Sequence, residues 1–112
     1  MPERRTASRK KFSLYMRVLD DDTQEQLGHM VEVSPEGLKL ETTTALPIEK
    51  DYYLRVELTP ELADRPFIVF IARTKWCKAG FIPDLYQCGF HIVEIMPDDK
   101  EIFLNILKKY GS

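Results

Sequence analysis

Apolar residues recur at every second position over most of the chain. Phe12, Leu14, Met16 and Val18 alternate with Ser13, Tyr15 and Arg17, and Leu27, His29, Val31 and Val33 alternate with Gly28, Met30 and Glu32. A period of two is the signature of a strand with one buried face. The polar tract Asp20-Asp21-Asp22-Thr23 separates the runs, so they predict a hairpin. Ser34-Pro35-Glu36-Gly37 predicts a second turn, with Gly37 able to take a positive φ. Leu38 and Leu40 follow, split by Lys39. Tyr52, Leu54, Val56 and Leu58 alternate with Tyr53, Arg55 and Glu57, and Thr59-Pro60-Glu61 predicts one helical turn. Phe67 to Cys77 is apolar and β-branched enough for a long strand. Gly80 to Asp84 ends it, and Tyr86, Cys88, Phe90 and Ile92 start the next.

The period then changes. Ile102, Phe103, Ile106, Leu107 and Tyr110 fall at spacings of three and four, which predicts an amphipathic helix. Asp98 is the expected N-cap, with Glu101 three residues on. Six short strands and one terminal helix give an all-β fold class. Closure into a small antiparallel barrel would hide the strand edges, with the helix over an open end. The expected organisation is one domain over residues 12–112. Residues 1–11 hold no large apolar residue after Met1 and predict a flexible basic arm.

Composition narrows the classes. The chain has 112 residues, 44% hydrophobic and 30% charged, as in an ordinary soluble domain. No apolar run approaches the roughly 18–20 residues of a membrane span, and no signal-type stretch follows the N-terminus. A cytoplasmic protein without membrane insertion is expected. Cys77 and Cys88 flank the 80–84 turn at similar distances. They are expected to be cross-strand neighbours carrying free thiols in a reducing compartment. The net charge of −2 hides an asymmetry. Residues 1–17 carry Arg4, Arg5, Arg9, Lys10, Lys11 and Arg17 against Glu3 alone, a surplus of five, which leaves −7 on the remainder. A basic arm ahead of an acidic body suggests an anionic partner, and the acidic body argues against nucleic acid.

Catalytic patterns are missing. His29 and His91 have no metal-ligand spacing, and His29 sits on the apolar phase of its strand, as a core histidine would. The chain holds no GxSxG elbow and no GxxxxGK loop. Asp20-Asp21-Asp22 lacks the ordered ligand spacing of a calcium loop. No metal, no cofactor and no enzymatic activity are expected.

Two short motifs remain. Arg5-Thr6-Ala7-Ser8-Arg9 sets two guanidinium groups four residues apart, with Arg4 adjacent. Arginine can bind a phosphate or a guanine edge through its planar fork. Glu32-Val33-Ser34-Pro35-Glu36-Gly37 ends a strand in a tight turn, and Glu32 and Ser34 project to the same side. Either motif alone is common. In this order the chain resembles the PilZ family, which carries RxxxR near its start and later Asp or Asn, any residue, Ser, two residues and Gly. Arg5, Arg9, Ser34 and Gly37 match; Glu32 replaces the shorter Asp or Asn. Leu38-Lys39-Leu40 and Gly89-Phe90 leading into Ile92 also look like the family's strands. The resemblance implies a six-stranded antiparallel barrel and a bacterial receptor for cyclic di-GMP, which is its ligand rather than a cofactor. Arg4, Arg5 and Arg9 would close over the nucleotide, Glu32, Ser34 and Gly37 would meet a guanine on the barrel wall, and a downstream protein would read the signal. The alternative is a PilZ-like adaptor that binds no nucleotide and acts through protein contacts. Glu32 favours the adaptor, and retention of both arginines favours the receptor.

Overall fold

The computed structural model describes residues 15–110 and the backbone of Lys10–Lys11. It contains β1 (Lys10–Lys11), β2 (Arg17–Asp20), β3 (Gln26–Ser34), β4 (Gly37–Thr42), β5 (Asp51–Glu57), β6 (Phe67–Ala79), β7 (Tyr86–Glu94) and α1 (Pro97–Tyr110). All pairings are antiparallel, in the order β3-β2-β5-β6-β7-β4, and β4 returns to β3. Six strands therefore close into the expected barrel.

The interior is built from the alternating residues. Val18, Leu38, Leu40, Tyr52, Leu54, Val56, Ile68, Phe70, Ala72, Cys88 and Phe90 are all buried. The helix covers one opening through Phe103 and Ile106, both buried, and the Phe103 ring meets Phe70 edge-on at 5.6 Å. Arg65, in the segment before β6, pairs with Asp99 in the first helical turn. The helix starts at Pro97, one residue before the predicted cap. Proline's fixed φ suits the first helical position, so Asp98 and Asp99 lie inside the first turn, where their charge complements the helix dipole.

Three other expectations change. The alternation places His29 and Val31 inside, but the register of β3 against β4 slips between Met30 and Glu32. This bulge reverses the phase: Met30 and Val33 are buried. His29 faces outward instead, its Nε2 3.5 Å from Glu41 and its ring 4.7 Å from that of Tyr15. Gly37 does not supply a positive φ, as no described glycine does. It has no room for a Cβ, because the Phe90 carbonyl of β7 occupies that place. Cys77 and Cys88 are direct ladder partners with Cα atoms 4.0 Å apart, and their sulfurs are joined, so neighbouring free thiols give way to a closed pair.

Lys10 and Lys11, expected in the flexible arm, lie opposite Val33 and Glu32. β2 pairs with β3 only as far as His29. The β3 edge beyond it would leave backbone groups unpaired, and β1 supplies partners there. The rest of the arm, residues 1–9, lies outside the described residues. Among the described residues no helix is long and apolar enough to cross a membrane.

Candidate functional site

Two bulges shape the outer wall of the barrel. Beyond the one in β3, Glu32 points out instead of in, on the same side as Ser34. The second lies in β6, where the register against β7 slips between Thr74 and Trp76. Strict alternation from Ile68 through Phe70, Ala72 and Thr74 would bury Trp76. The slip turns it outward and turns Cys77 toward Cys88. A bulge characteristically re-aims a side chain in this way.

The registers then align one row across five strands. Lys11 lies opposite Glu32, Glu32 opposite Lys39, Lys39 opposite Gly89, and Gly89 opposite Trp76. Gly89 has only hydrogen on this face, and the indole of Trp76 fills the space a Cβ would need. Lys78 Nζ sits 5.3 Å from the centre of that ring. Glu32 Oε2 is 2.9 Å from Lys39 Nζ.

Ser34 and Gly37 bracket the two-residue turn Pro35-Glu36. Ser34 Oγ donates to the Gly37 carbonyl at 3.4 Å, and the Ile92 amide donates to the Glu36 carbonyl at 2.8 Å, fixing the turn to β7. Ser34, Gly37, Lys75, Trp76, Gly89 and His91 line a depression of about 200 Å³. Enclosed small-molecule sites usually hold roughly 300–1,000 Å³, so this one suits a single base and not a whole dinucleotide. A larger hollow of about 440 Å³ adjoins it across Glu36 and His91, between β7 and α1.

Thus Glu32, Ser34 and Gly37 lie together on one wall. Arg4, Arg5 and Arg9 lie outside the described residues. Motif reading missed Lys39, Lys75 and Trp76. The available signal was Gly89, a glycine inside a strand, which marks a close approach by another group. Among the described residues no three His, Cys, Asp or Glu side chains gather as metal ligands do.

The family model described as PilZ domain matches residues 3–109. The chain belongs to the PilZ domain family. The match includes the arm together with almost all of the described barrel. Among solved structures, this PilZ chain is similar to the PilZ domain with c-di-GMP of YcgR from Escherichia coli. The TM-score is 0.72 at 14% identity, covering 96% of this chain and 92% of that one. It is also similar to the Bacillus subtilis inhibitor of motility MotI/DgrA, with TM-score 0.70 and 14% identity. That match covers 96% of this chain and 52% of the other, so the PilZ chain spans about half of MotI. No curated protein matches it. At these identities the likeness establishes the barrel and its connectivity, as the strand registers do independently.

Proposed function

We infer that the protein is a cyclic di-GMP receptor that binds the nucleotide without transforming it. One observation carries this reading: the Glu32 carboxylate shares one outer wall of a PilZ barrel with a depression sized for one base, which the Ser34 hydroxyl and the half-buried Trp76 indole line. Glu32 accepts from the N–H donors of a guanine edge, Ser34 hydrogen-bonds beside it, and Trp76 offers a stacking face. Gly37 serves by allowing the turn to pack on β7. Arg5 and Arg9, with Arg4, supply guanidinium groups for the phosphates. Support for their part comes from β1: Arg9 directly precedes Lys10, whose backbone lies opposite Val33. The YcgR structure, solved with c-di-GMP, supports the ligand class. No cofactor enters this function, and a downstream protein, in the cytoplasm of a bacterium, would read the bound state.

A second reading is an adaptor that binds no nucleotide and acts through a protein partner. The motif departure at Glu32 and its engagement with Lys39 favour it. Calorimetry of the purified chain separates the two. Saturable binding of cyclic di-GMP, with much weaker binding of cyclic di-AMP, supports the receptor. No heat with cyclic di-GMP at any concentration up to the millimolar range overturns it in favour of the adaptor.

A further inference from the structure

We propose that Lys39 is a positioning residue that adapts the longer Glu32 side chain to guanine recognition. The proposal rests on the receptor reading above. The family motif has Asp or Asn where this chain has Glu, which adds a methylene and a torsion. An outward side chain on a strand stands roughly perpendicular to the sheet. Unrestrained, the Glu32 carboxylate would project farther from the wall and sample several rotamers.

Lys39 limits that freedom. It is the ladder partner of Glu32 on β4, and its Nζ is 2.9 Å from Glu32 Oε2. The two side chains are only 16% and 19% exposed, so their charges are screened less than those of a surface pair. The contact is a charge-assisted hydrogen bond that draws the carboxylate along the wall toward β4. The rotamer entropy of Glu32 is then lost on folding and not on binding, which is preorganisation.

The row gives this direction a purpose. On its other side Lys39 faces Gly89, against which the Trp76 indole lies. Gly89 and Glu32 are two strand spacings apart, roughly 10 Å. That span accommodates a purine at the indole with a hydrogen bond toward the carboxylate. The Lys39 ammonium also neutralises Glu32, so a ligand with two phosphates meets no unpaired negative charge there.

The test is a double-mutant cycle in cyclic di-GMP affinity at one salt concentration, using wild type, Lys39→Met, Glu32→Asp and the double variant. Lys39→Met is expected to weaken wild type by about tenfold. On top of Glu32→Asp, whose shorter side chain needs no such restraint, it is expected to change affinity less than twofold. Lys39→Arg is expected to retain most of the binding. Preference for cyclic di-GMP over cyclic di-AMP should fall in Lys39→Met, because adenine lacks the N1–H and N2–H donors a carboxylate reads. NMR couplings of the Glu32 side chain without ligand should show one dominant rotamer in wild type and a shifted rotamer distribution in Lys39→Met.

An equal loss in both backgrounds overturns the proposal, because Lys39 would then act on the ligand or the fold directly. Tighter binding by Lys39→Met overturns it too, because Lys39 would then compete for the carboxylate. Unchanged nucleotide preference has the same force. If wild type binds and the cycle is additive, this inference alone falls. If none of the four proteins binds, the receptor reading falls and takes this one with it.

Discussion

Trp76 is the only tryptophan in the chain, and it lies on the outer wall where the depression opens. Its emission should therefore change on titration with cyclic di-GMP. Trp76→Ala should weaken binding by about 1–3 kcal/mol, the scale of one base stacked on an aromatic ring. Calorimetry and a thermal melt check this together. The half-buried ring lies outside the core cluster, so the melting temperature should move little, and unchanged affinity would remove Trp76 from the site. Residues at this scale were legible in unequal measure. That Glu32, Ser34 and Gly37 share one wall could be read, because a motif ties residue identity to position along the chain. Trp76 could not, because its direction depends on one extra residue in β6, which appears only when β6 is aligned against β7. His29 was misjudged for the same reason in β3. A rule of alternation carries no information past a bulge.

The strands and the helix were legible where apolar residues repeat without interruption: β5 keeps Tyr52, Leu54 and Val56 inside as the pattern requires. What the pattern does not contain is how tightly neighbouring strands meet, and Gly37 shows the consequence. Its positive-φ role fails, yet the residue is required by the seam between β4 and β7. Gly37→Ala would press a methyl onto the Phe90 carbonyl. The expected cost is about 1–3 kcal/mol of stability, the scale of overpacking, and urea denaturation measures it. Any loss of nucleotide affinity in this variant should track the loss of stability; lost affinity at full stability would mean that the ligand itself needs the glycine. The β5–β6 pair gives a pH dependence. Arg73 donates to both Asp51 oxygens, at 2.7 and 3.2 Å, and these hydrogen bonds hold the Asp51 carboxyl below its ordinary value of 3.8. A carboxyl depressed in the folded state adds stability above its unfolded pKa. That stability fades as pH falls from about 3.8 through the lower folded value. Asp51→Asn should thus lower the melting temperature slightly at pH 7 and make no difference in strong acid, as paired melts across pH would show. The pair is exposed, so the effect is small.

At the scale of the whole molecule, the proposed function gives the basic arm and the acidic body separate tasks. Among the described residues, every buried core residue lies between Met16 and Ile106. Removing residues 1–9 should therefore leave the barrel folded, with a melting temperature close to that of the full chain. Binding should not survive as well. The body from residue 18 onward carries −7, which repels a ligand with two phosphates, and residues 1–9 contribute three arginines against Glu3. Arg9→Ala should cost about 2–5 kcal/mol of affinity, because a charged partner of a largely desolvated phosphate is lost. Arg9→Lys should recover only part, since the ammonium lacks the planar fork. Salt then distinguishes a clamp from a bystander. Between 0.1 M and 1 M the screening length falls from about 10 to about 3 Å, which weakens exposed phosphate contacts and leaves stacking on Trp76 nearly untouched. The affinity of the full chain should fall steeply over that range, and that of the chain lacking residues 1–9 only shallowly. Parallel salt curves for the two proteins would place the phosphate contacts on the barrel, with Lys75 beside the depression as the nearest cation to examine. Diverging curves, with equal melting temperatures, would assign those contacts to the arm.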